Sequence, residues 1–243
     1  MTRATFDPAR DTILARIREA LRLPAPPPHT SPSTSVPAAD GGLPILPLDI
    51  ARPWLPDGGR TAAEQLEILG RNLAALRAEV HRAADLEAAG NLVAGLAGDR
   101  GWRRVAWHAD PVVQRVVERL ACDAYRVDAG DFDKGTLEEC DAGITACEAL
   151  VAQTGSILVS SRTCGGRALS ILPHAHVVVA LHDQIVPTLG DALRIARDRS
   201  ADRMPGMLSF ITGPSRTGDI ERILVLGAHG PKQLVVVLVD RAE

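Results

Sequence analysis

The sequence predicts a three-layer α/β/α domain, in which a largely parallel sheet is covered by helices on both faces. Two apolar runs, Val177–Leu181 and Leu234–Val239, are continuous rather than alternating. Continuous runs rich in β-branched residues are typical of strands that are buried on both faces. A helical pattern from about Leu189 to Arg199 separates these two strands, as in repeated strand–helix units. The 243 residues, 46% of them hydrophobic, are sufficient for a sizeable core.

The chain is predicted to begin with a short amphipathic helix, within residues 1–23, on a proline-rich arm. In the segment Ala9–Leu23, one helical face carries Ile13, Leu14, Ile17 and Leu21. Residues 24–60 contain 10 of the 17 prolines, which remove backbone donors and exclude regular structure. A helix tethered in this way docks either on its own domain or on a neighbouring subunit, so a homo-oligomer is one expectation.

The folded domain is predicted over residues 61–243. Thr61 and Glu64 have the spacing of a capping box, and apolar residues at steps of three and four continue the helix as far as Val80. The elements expected after it are a helix (Asp85–Leu96), a strand (Val105–His108), a helix (Asp110–Leu120), and strands at Ala124–Val127, Ser156–Ser160, Val177–Leu181, Leu208–Thr212, Ile223–Leu226 and Leu234–Val239.

Composition argues against several classes of protein. A net charge of −3 and a pI of about 6.2 lack the basic character of nucleic-acid-binding proteins. The longest apolar run has six residues, which is far short of a bilayer span, and the N-terminus does not have the pattern of a signal peptide. We therefore expect a cytoplasmic protein without a membrane span. The four cysteines include no C-x-x-C pair, which favours free thiols over a metal or cluster site.

Three loops have the composition of an anion-binding cleft. They are Gln153–Ser156, Ser160–Arg167 and Thr212–Asp219, which combine glycine, hydroxyl side chains and, in the last two, arginine. Free backbone N–H groups and a guanidinium bind carboxylate or phosphate well. In an open α/β sheet such loops are expected at the carboxyl ends of the strands. The alternative is that they only cap helices and turn the chain.

Standard catalytic signatures are missing from the sequence. It has no Walker phosphate loop, no dinucleotide-binding fingerprint and no nucleophile elbow. His174 and His176 have the spacing of a metal-ligand pair, but hydrogen-bonded histidines are the favoured interpretation. His229 lies in a glycine-bounded turn from which a side chain can reach a cleft. Asp219 and Glu221 lie near an expected helix start, where capping is favoured over general-base chemistry.

With these motifs in view, the sequence resembles the lactate-utilisation protein C family, whose shared module is the LUD domain. The resemblance rests on the following segments: Ala142-Gly-Ile-Thr145, Thr154-Gly155, Gly166-Arg167, Ser170-Ile-Leu-Pro173 with His176, Gln184-Ile-Val-Pro187, Phe210-Ile-Thr-Gly-Pro-Ser-Arg-Thr-Gly-Asp-Ile-Glu221 and Leu224-Val-Leu-Gly-Ala-His-Gly-Pro231. It implies a fold like that of the NagB/RpiA/CoA-transferase superfamily. It also implies a part in oxidising lactate to pyruvate together with iron–sulfur partner proteins. The clusters would belong to the partners, and this chain would bind no cofactor or metal.

The loops and the matching motif positions together give the candidate residues. Those for anion binding are Thr154, Gly155, Ser156, Arg167, Thr212, Gly213, Ser215, Arg216 and Gly230, and those for catalysis are His229, Asp219 and Glu221. Two features depart from the family pattern. Gln153 stands where many members have an acid, and an amide takes up no proton at neutral pH. The turn Arg162–Cys164 is less rich in glycine than its counterparts.

Three functions remain open at the level of the sequence. The leading hypothesis is an accessory subunit that binds a small carboxylate through Arg167, Arg216 and the turn Thr212–Ser215. The second is an isomerase or CoA-transferase-like enzyme that uses His229 with Asp219 or Glu221 as acid and base. The third is a scaffold whose loops bind no ligand. The amide of Gln153, in place of an acid, counts against the second hypothesis, the enzyme.

Overall fold

A computed structural model describes residues 12–13, 15–16, 19, 55–130, 132–200, 204–217, 225–227 and 229–241. The chain divides into two compact units, Met1–Leu55 and Pro56–Glu243. In the first unit, the five described residues before Leu55 are helical and exposed. The rest of the predicted N-terminal helix, and the proline-rich arm up to residue 54, lie outside the described residues.

The second unit alternates helices and strands. Its helices are α1 (Ala62–Ala75), α2 (Leu86–Asp99), α3 (Pro111–Val117), α4 (Lys134–Glu138) and α5 (Leu189–Asp198). Its strands are β1 (Glu79–Ala83), β2 (Arg104–Trp107), β3 (Asp123–Arg126), β4 (Ala142–Thr145), β5 (Ala149–Val151), β6 (Ser156–Ser160), β7 (Ala175–Leu181), β8 (Ile185–Val186), β9 (Leu208–Ile211), β10 (Arg216–Thr217), β11 (Val225–Leu226) and β12 (Gln233–Val239). None of the described helices is both long and apolar enough to cross a bilayer.

The main sheet has six parallel strands in the order β1-β12-β7-β4-β2-β3. A second, mixed sheet has the order β8-β5-β6-β9, and β10 pairs with β11 as a short antiparallel ribbon. A parallel central sheet with flanking helices confirms the predicted α/β class. Two of the predicted strands, β6 and β9, belong to the second sheet.

Alternate residues of β12 explain why its apolar run is continuous. Val235, Val237 and Val239 are buried in the core cluster that contains α2 and α3. Leu234, Val236 and Leu238 are buried in another cluster, which contains α1 and the second sheet. Helix α5 covers the far face of the second sheet, where Ala192 and Ala196 pack on β5 and β6. The strand is therefore covered on both faces, as its composition predicts.

Helix α1 begins at the residue that the capping box indicates. The Thr61 side chain accepts a hydrogen bond from the Glu64 N–H, and the Glu64 carboxylate accepts one from the Thr61 N–H. The bonds that the Arg60 N–H and the Thr61 N–H donate to the Glu64 carboxylate hold the pKa of Glu64 below its usual value. The helix ends before Val80, which lies in edge strand β1 and not in the helical stripe that the sequence suggested.

Candidate functional site

Three of the predicted hydroxyl side chains form one hydrogen-bonded row, which we call the hydroxyl row: Thr154, Ser156 and Thr212. The Ser156 Oγ lies 2.7 Å from the Thr154 Oγ1 and 2.8 Å from the Thr212 Oγ1. Thr154 lies in the turn between β5 and β6, Ser156 is the first residue of β6, and Thr212 directly follows β9. Because β6 pairs with β9, residues 56 positions apart in sequence meet at this point.

The neighbouring glycines pack on Leu76, which follows the C-terminal end of α1. Gly155 and Gly213 have φ values of +66° and +89°, which favour glycine. A Cβ on Gly155 would lie 3.0 Å from the Leu76 Cδ1, and one on Gly213 would lie 3.2 Å from the Leu76 Cβ. The Arg216 guanidinium donates a hydrogen bond to the Leu76 carbonyl oxygen. These three predicted residues thus have a packing role at the end of α1, whose last carbonyls need donors.

The turn that contains His229 contacts the turn that contains Ser215. The Ser215 N–H donates to the Pro231 carbonyl oxygen at 2.9 Å, and a Cβ on Gly230 would lie 3.2 Å from the Ser215 Cβ. His229 is exposed. Asp219 and Glu221, its predicted catalytic partners, lie outside the described residues.

This group of loops lies at the amino edge of the main sheet. Leu76 is three residues before the start of β1, and Pro231 is two residues before the start of β12. The expectation that all three loops lie at the carboxyl ends was therefore wrong for the loops at 153–156 and 212–216. The antiparallel turn from β5 to β6, and the return of the chain to β12, place them at the other edge.

The loop Ser160–Arg167 does lie at the carboxyl ends of the strands. The Thr163 carbonyl oxygen accepts a hydrogen bond from the N–H of Ala146, the residue directly after β4, at 3.1 Å. The same oxygen lies 2.7 Å from the Nε2 of His108, which directly follows β2. Arg167 is the last residue of this loop, whereas Arg216 contacts Leu76 at the amino edge of the main sheet.

Arg167 lines a cavity of about 460 Å³ beside β9. The cavity is lined by Arg167, Ser170, Ile171, Gly206, Met207, Leu208, Ser209 and Ile211. Within the described ranges, the Arg167 guanidinium makes no hydrogen bond or ion pair. A guanidinium without a partner at the wall of a cavity is suited to binding an anion.

A second cavity, of about 500 Å³, adjoins the first at Gly206. The described residues that line it are Ser161, Arg162, Arg199, Ser200, Met204, Pro205 and Gly206. Below it lies the carboxylate of Glu148, only 3% exposed, which accepts hydrogen bonds from the Ser160 Oγ at 2.6 Å and the Arg199 Nη1 at 3.2 Å. We call the two adjoining cavities the arginine cleft.

Sequence reasoning did not select Glu148, Arg162 or Arg199 as site residues. A signal for the first was present, because Glu148 is the one charged residue in the apolar run Ala142–Ala152. Buried carboxylates are rare unless they are paired, so this position predicted a partner without identifying it. The arginine partners lie in a loop and at the end of a helix, and only the fold brings them to Glu148.

Gln153, which stands in place of an acid, has a buried structural role. Its Nε2 donates to the Pro56 carbonyl oxygen at 2.7 Å, and its N–H donates to the Pro187 carbonyl oxygen at 3.1 Å. The side chain therefore links the segment before α1 to the turn after β5. An ionised carboxylate has no N–H with which to make the first of these bonds.

The His174/His176 pair does not converge on one point. His176 is buried, with its Nε2 2.8 Å from the Thr145 Oγ1 and its Nδ1 without a partner in the structure. Burial lowers the pKa of His176 to about 4. His174 is exposed, and its carbonyl oxygen accepts a bond from the Lys232 N–H. In the described part of the chain, no three His, Cys, Asp or Glu residues are grouped in a way that could hold a metal ion.

Comparisons with known proteins agree with this architecture. Proteins called lactate utilization protein C from Bacillus subtilis and Deinococcus radiodurans are 35% and 36% identical to this chain over 117 and 104 residues. These alignments cover 45% and 42% of this chain, and 49% and 48% of the two relatives. The chain thus spans about half the length of the curated relatives that it matches.

A solved structure and a family model extend the match. The crystal structure of a DUF162 family protein from Deinococcus radiodurans superimposes with a TM-score of 0.58 at 26% identity, covering 74% of this chain and 99% of that one. The family model described as the LUD domain matches residues 66–239, which include both sheets and the arginine cleft. The chain belongs to the LUD domain family.

Proposed function

We propose that this chain binds a small carboxylate at Arg167, as an accessory component of a lactate-utilisation system. The observation that carries the binding site is the guanidinium of Arg167, which has no partner among the described residues and lines a cavity. The relatives named lactate utilization protein C support the choice of system.

The lining of this cavity matches the chemistry of a 2-hydroxy acid. A guanidinium binds a carboxylate through two parallel hydrogen bonds. Ile171, Leu208 and Ile211 supply apolar surface for a short alkyl group. Ser209 supplies a hydroxyl group that can bond to the hydroxyl or keto oxygen of the ligand, whereas the Ser170 Oγ already donates to the Arg167 carbonyl oxygen at 3.3 Å. Lactate and pyruvate carry these three kinds of group.

Arg216 and the turn Thr212–Ser215 enter this proposal in a different role from Arg167. The Arg216 guanidinium already donates to the Leu76 carbonyl, and the hydroxyl row is bonded internally. We propose that both hold the end of α1 against the second sheet. The ligand is then bound at Arg167 and not at these residues.

Oxidation of lactate to pyruvate releases two electrons and two protons, and therefore requires an electron acceptor. We propose that iron–sulfur proteins of the same cytoplasmic system accept the electrons, while this chain holds the carboxylate. Co-purification of iron–sulfur proteins with the tagged chain from lactate-grown cells tests this part. Recovery of the chain alone would contradict it.

Calorimetry with L-lactate, D-lactate, pyruvate and acetate tests the binding site. Arg167→Met is expected to weaken the affinity for the carboxylate at least about tenfold, because truncating a bidentate charge-assisted contact costs about 1.5–3 kcal/mol. Arg216→Met removes the same charge from the other edge of the sheet and serves as the matched control, with unchanged affinity. Equal affinities for the wild type and Arg167→Met, or no binding of any of the four probes to the wild type, would reject the site.

A further inference from the structure

Two arginines surround one buried carboxylate in the second cavity of the arginine cleft. The Arg199 Nη1 donates to the Glu148 Oε2 at 3.2 Å and to the Glu148 carbonyl oxygen at 3.1 Å. The Arg162 Nη2 lies 3.8 Å from the Glu148 Oε1. Both guanidiniums are about half exposed, whereas the carboxylate is 3% exposed. Among the described residues, two positive charges thus face the cavity, and a single negative charge lies beneath them.

The guanidinium of Arg162 is fixed in place by the end of α5. Its Nη1 donates to the Arg199 carbonyl oxygen at 3.2 Å, and its Nη2 donates to the Ser200 Oγ at 2.7 Å. These bonds remove most of its rotamer freedom, so that binding an anion costs little further side-chain entropy. The site is therefore pre-organised.

The guanidinium of Arg199 still has hydrogen-bond donors available for a ligand. Arg199 uses its Nη1 alone, and in the described part of the chain its Nε and Nη2 have no partner. None of the described residues that line this cavity is acidic, and Ser161 adds a hydroxyl group. An excess positive charge with free, directed donors is the chemistry of an anion site.

We infer that Arg162 and Arg199 form a second anion subsite of the arginine cleft, which takes a phosphate or carboxylate group. Because the two cavities adjoin at Gly206, this subsite and Arg167 belong to one cleft. A ligand that uses both subsites carries two acidic groups. The inference goes beyond the proposed function, since lactate carries only one such group.

A purely structural role for the two arginines makes a different prediction. In that case Arg162 only caps the end of α5, and Arg199 only neutralises Glu148. Removing either arginine would then lower stability without changing the binding of any anion. Binding and stability are therefore measured separately.

The test uses inorganic phosphate and acetate as probes, in a chain that carries Arg167→Met so that the first cavity contributes no signal. Calorimetry at low ionic strength is expected to detect at least one probe, and the comparison of the two shows which acidic group is preferred. Adding Arg162→Met is expected to weaken that binding at least about tenfold. Failure of both probes to bind, or unchanged affinity after Arg162→Met, would overturn the subsite.

Arg199 requires a paired substitution, because Arg199→Met alone leaves the buried Glu148 charge poorly balanced. Glu148→Gln combined with Arg199→Met removes both charges together and is expected to fold and to bind the probe at least about tenfold more weakly. Arg197→Met, on the same helix and paired among the described residues with its neighbour Asp198, is the matched control and is expected to keep wild-type affinity. Equal loss in this control would overturn the assignment to Arg199. The Arg167→Met background separates this result from a failure of the lactate site.

Discussion

The replacement of an acid by Gln153 illustrates how one residue changes meaning once its contacts are known. From the sequence, an amide at this position indicates the loss of a proton acceptor. In the fold, the side-chain amide donates to the Pro56 carbonyl oxygen, and the position is buried. The residue thus serves as a tie between two segments, which requires a donor that a carboxylate lacks. A buried, charged carboxylate in this position would also pay a desolvation cost.

His176 makes the stability of the domain depend on pH. Burial lowers its pKa to about 4, whereas an unfolded histidine has a pKa of about 6.5. Between these values the unfolded state binds more protons, so the free energy of unfolding decreases as the pH falls. The free energy of unfolding is therefore unaffected by protonation of His176 above about pH 6.5. By pH 4, protonation of this histidine in the unfolded chain lowers the free energy of unfolding by about 3 kcal/mol. Urea unfolding at several pH values across this window measures the decrease.

Two variants isolate the contribution of His176 from that of other groups. His176→Gln removes the titrating ring and is expected to flatten the decrease between about pH 6.5 and pH 4. His174→Gln, at an exposed position two residues earlier, is expected to leave it as in the wild type. Parallel pH profiles for wild type and His176→Gln would show that this histidine is not the cause.

At the scale of elements, the packing of the β5–β6 turn on α1 depends on a glycine. Gly155 has a φ of +66°, and an added Cβ would lie 3.0 Å from side-chain atoms of Asn72 and Leu76. Gly155→Ala is therefore expected to lower the free energy of unfolding by about 1–3 kcal/mol. Gly70→Ala is the control, because this interior position of α1 has open space, and it is expected to stabilise by about 0.5–1 kcal/mol. Urea unfolding of both variants tests the contrast, and equal effects would contradict it.

The elements with a strong local signal could be predicted from the sequence. The capping box gave the start of α1, and the apolar runs gave β7 and β12 nearly to the residue. Edge strand β1 was missed because Glu79, His81 and Arg82 make it polar, and Val80 continues the period of the preceding helix. The run from Ala142 to Ala152 contains two strands, β4 and β5, which belong to different sheets. Hydrophobic periodicity carries no information on which sheet a strand joins.

The candidate site was predictable as a set of loops but not as an arrangement. Residue types identified Arg167 as an anion-binding candidate, and it lines a cavity. They did not reveal that Arg216 lies at the opposite edge of the sheet, because that depends on the strand order. The partners of Glu148 likewise come from positions 12 to 51 residues away. Such non-local proximity follows from topology and has no local signature.

At the scale of the whole molecule, the four cysteines report on global unfolding. All four are free, as expected from their spacing, and Cys140, Cys147 and Cys164 are at most 1% exposed. Burial raises the pKa of Cys140 and of Cys164 to about 11, and it also raises those of Cys147 and the half-buried Cys122. The thiolate is the reactive form, so the folded chain should react slowly with thiol reagents.

Ellman's reagent at about pH 8, with and without guanidinium chloride, measures this difference. We expect at most one reactive thiol in the folded chain, Cys122, and four in the unfolded chain. Cys122→Ser should abolish the reaction of the folded chain and leave three thiols after unfolding. Rapid reaction of more than one thiol without denaturant would contradict the buried positions of the other three.

The position of β12 bears on how the chain folds during its synthesis. This strand is the last of the strands in the described part of the chain, yet it lies inside the main sheet, between β1 and β7. As the ribosome releases the chain, β1 has no neighbour in that sheet until residues 233–239 emerge. Until then β1 has no partner strand in the nascent domain, and exposed strand edges are templates for aggregation. Folding of the main sheet is therefore complete only after residues 233–239 have been synthesised.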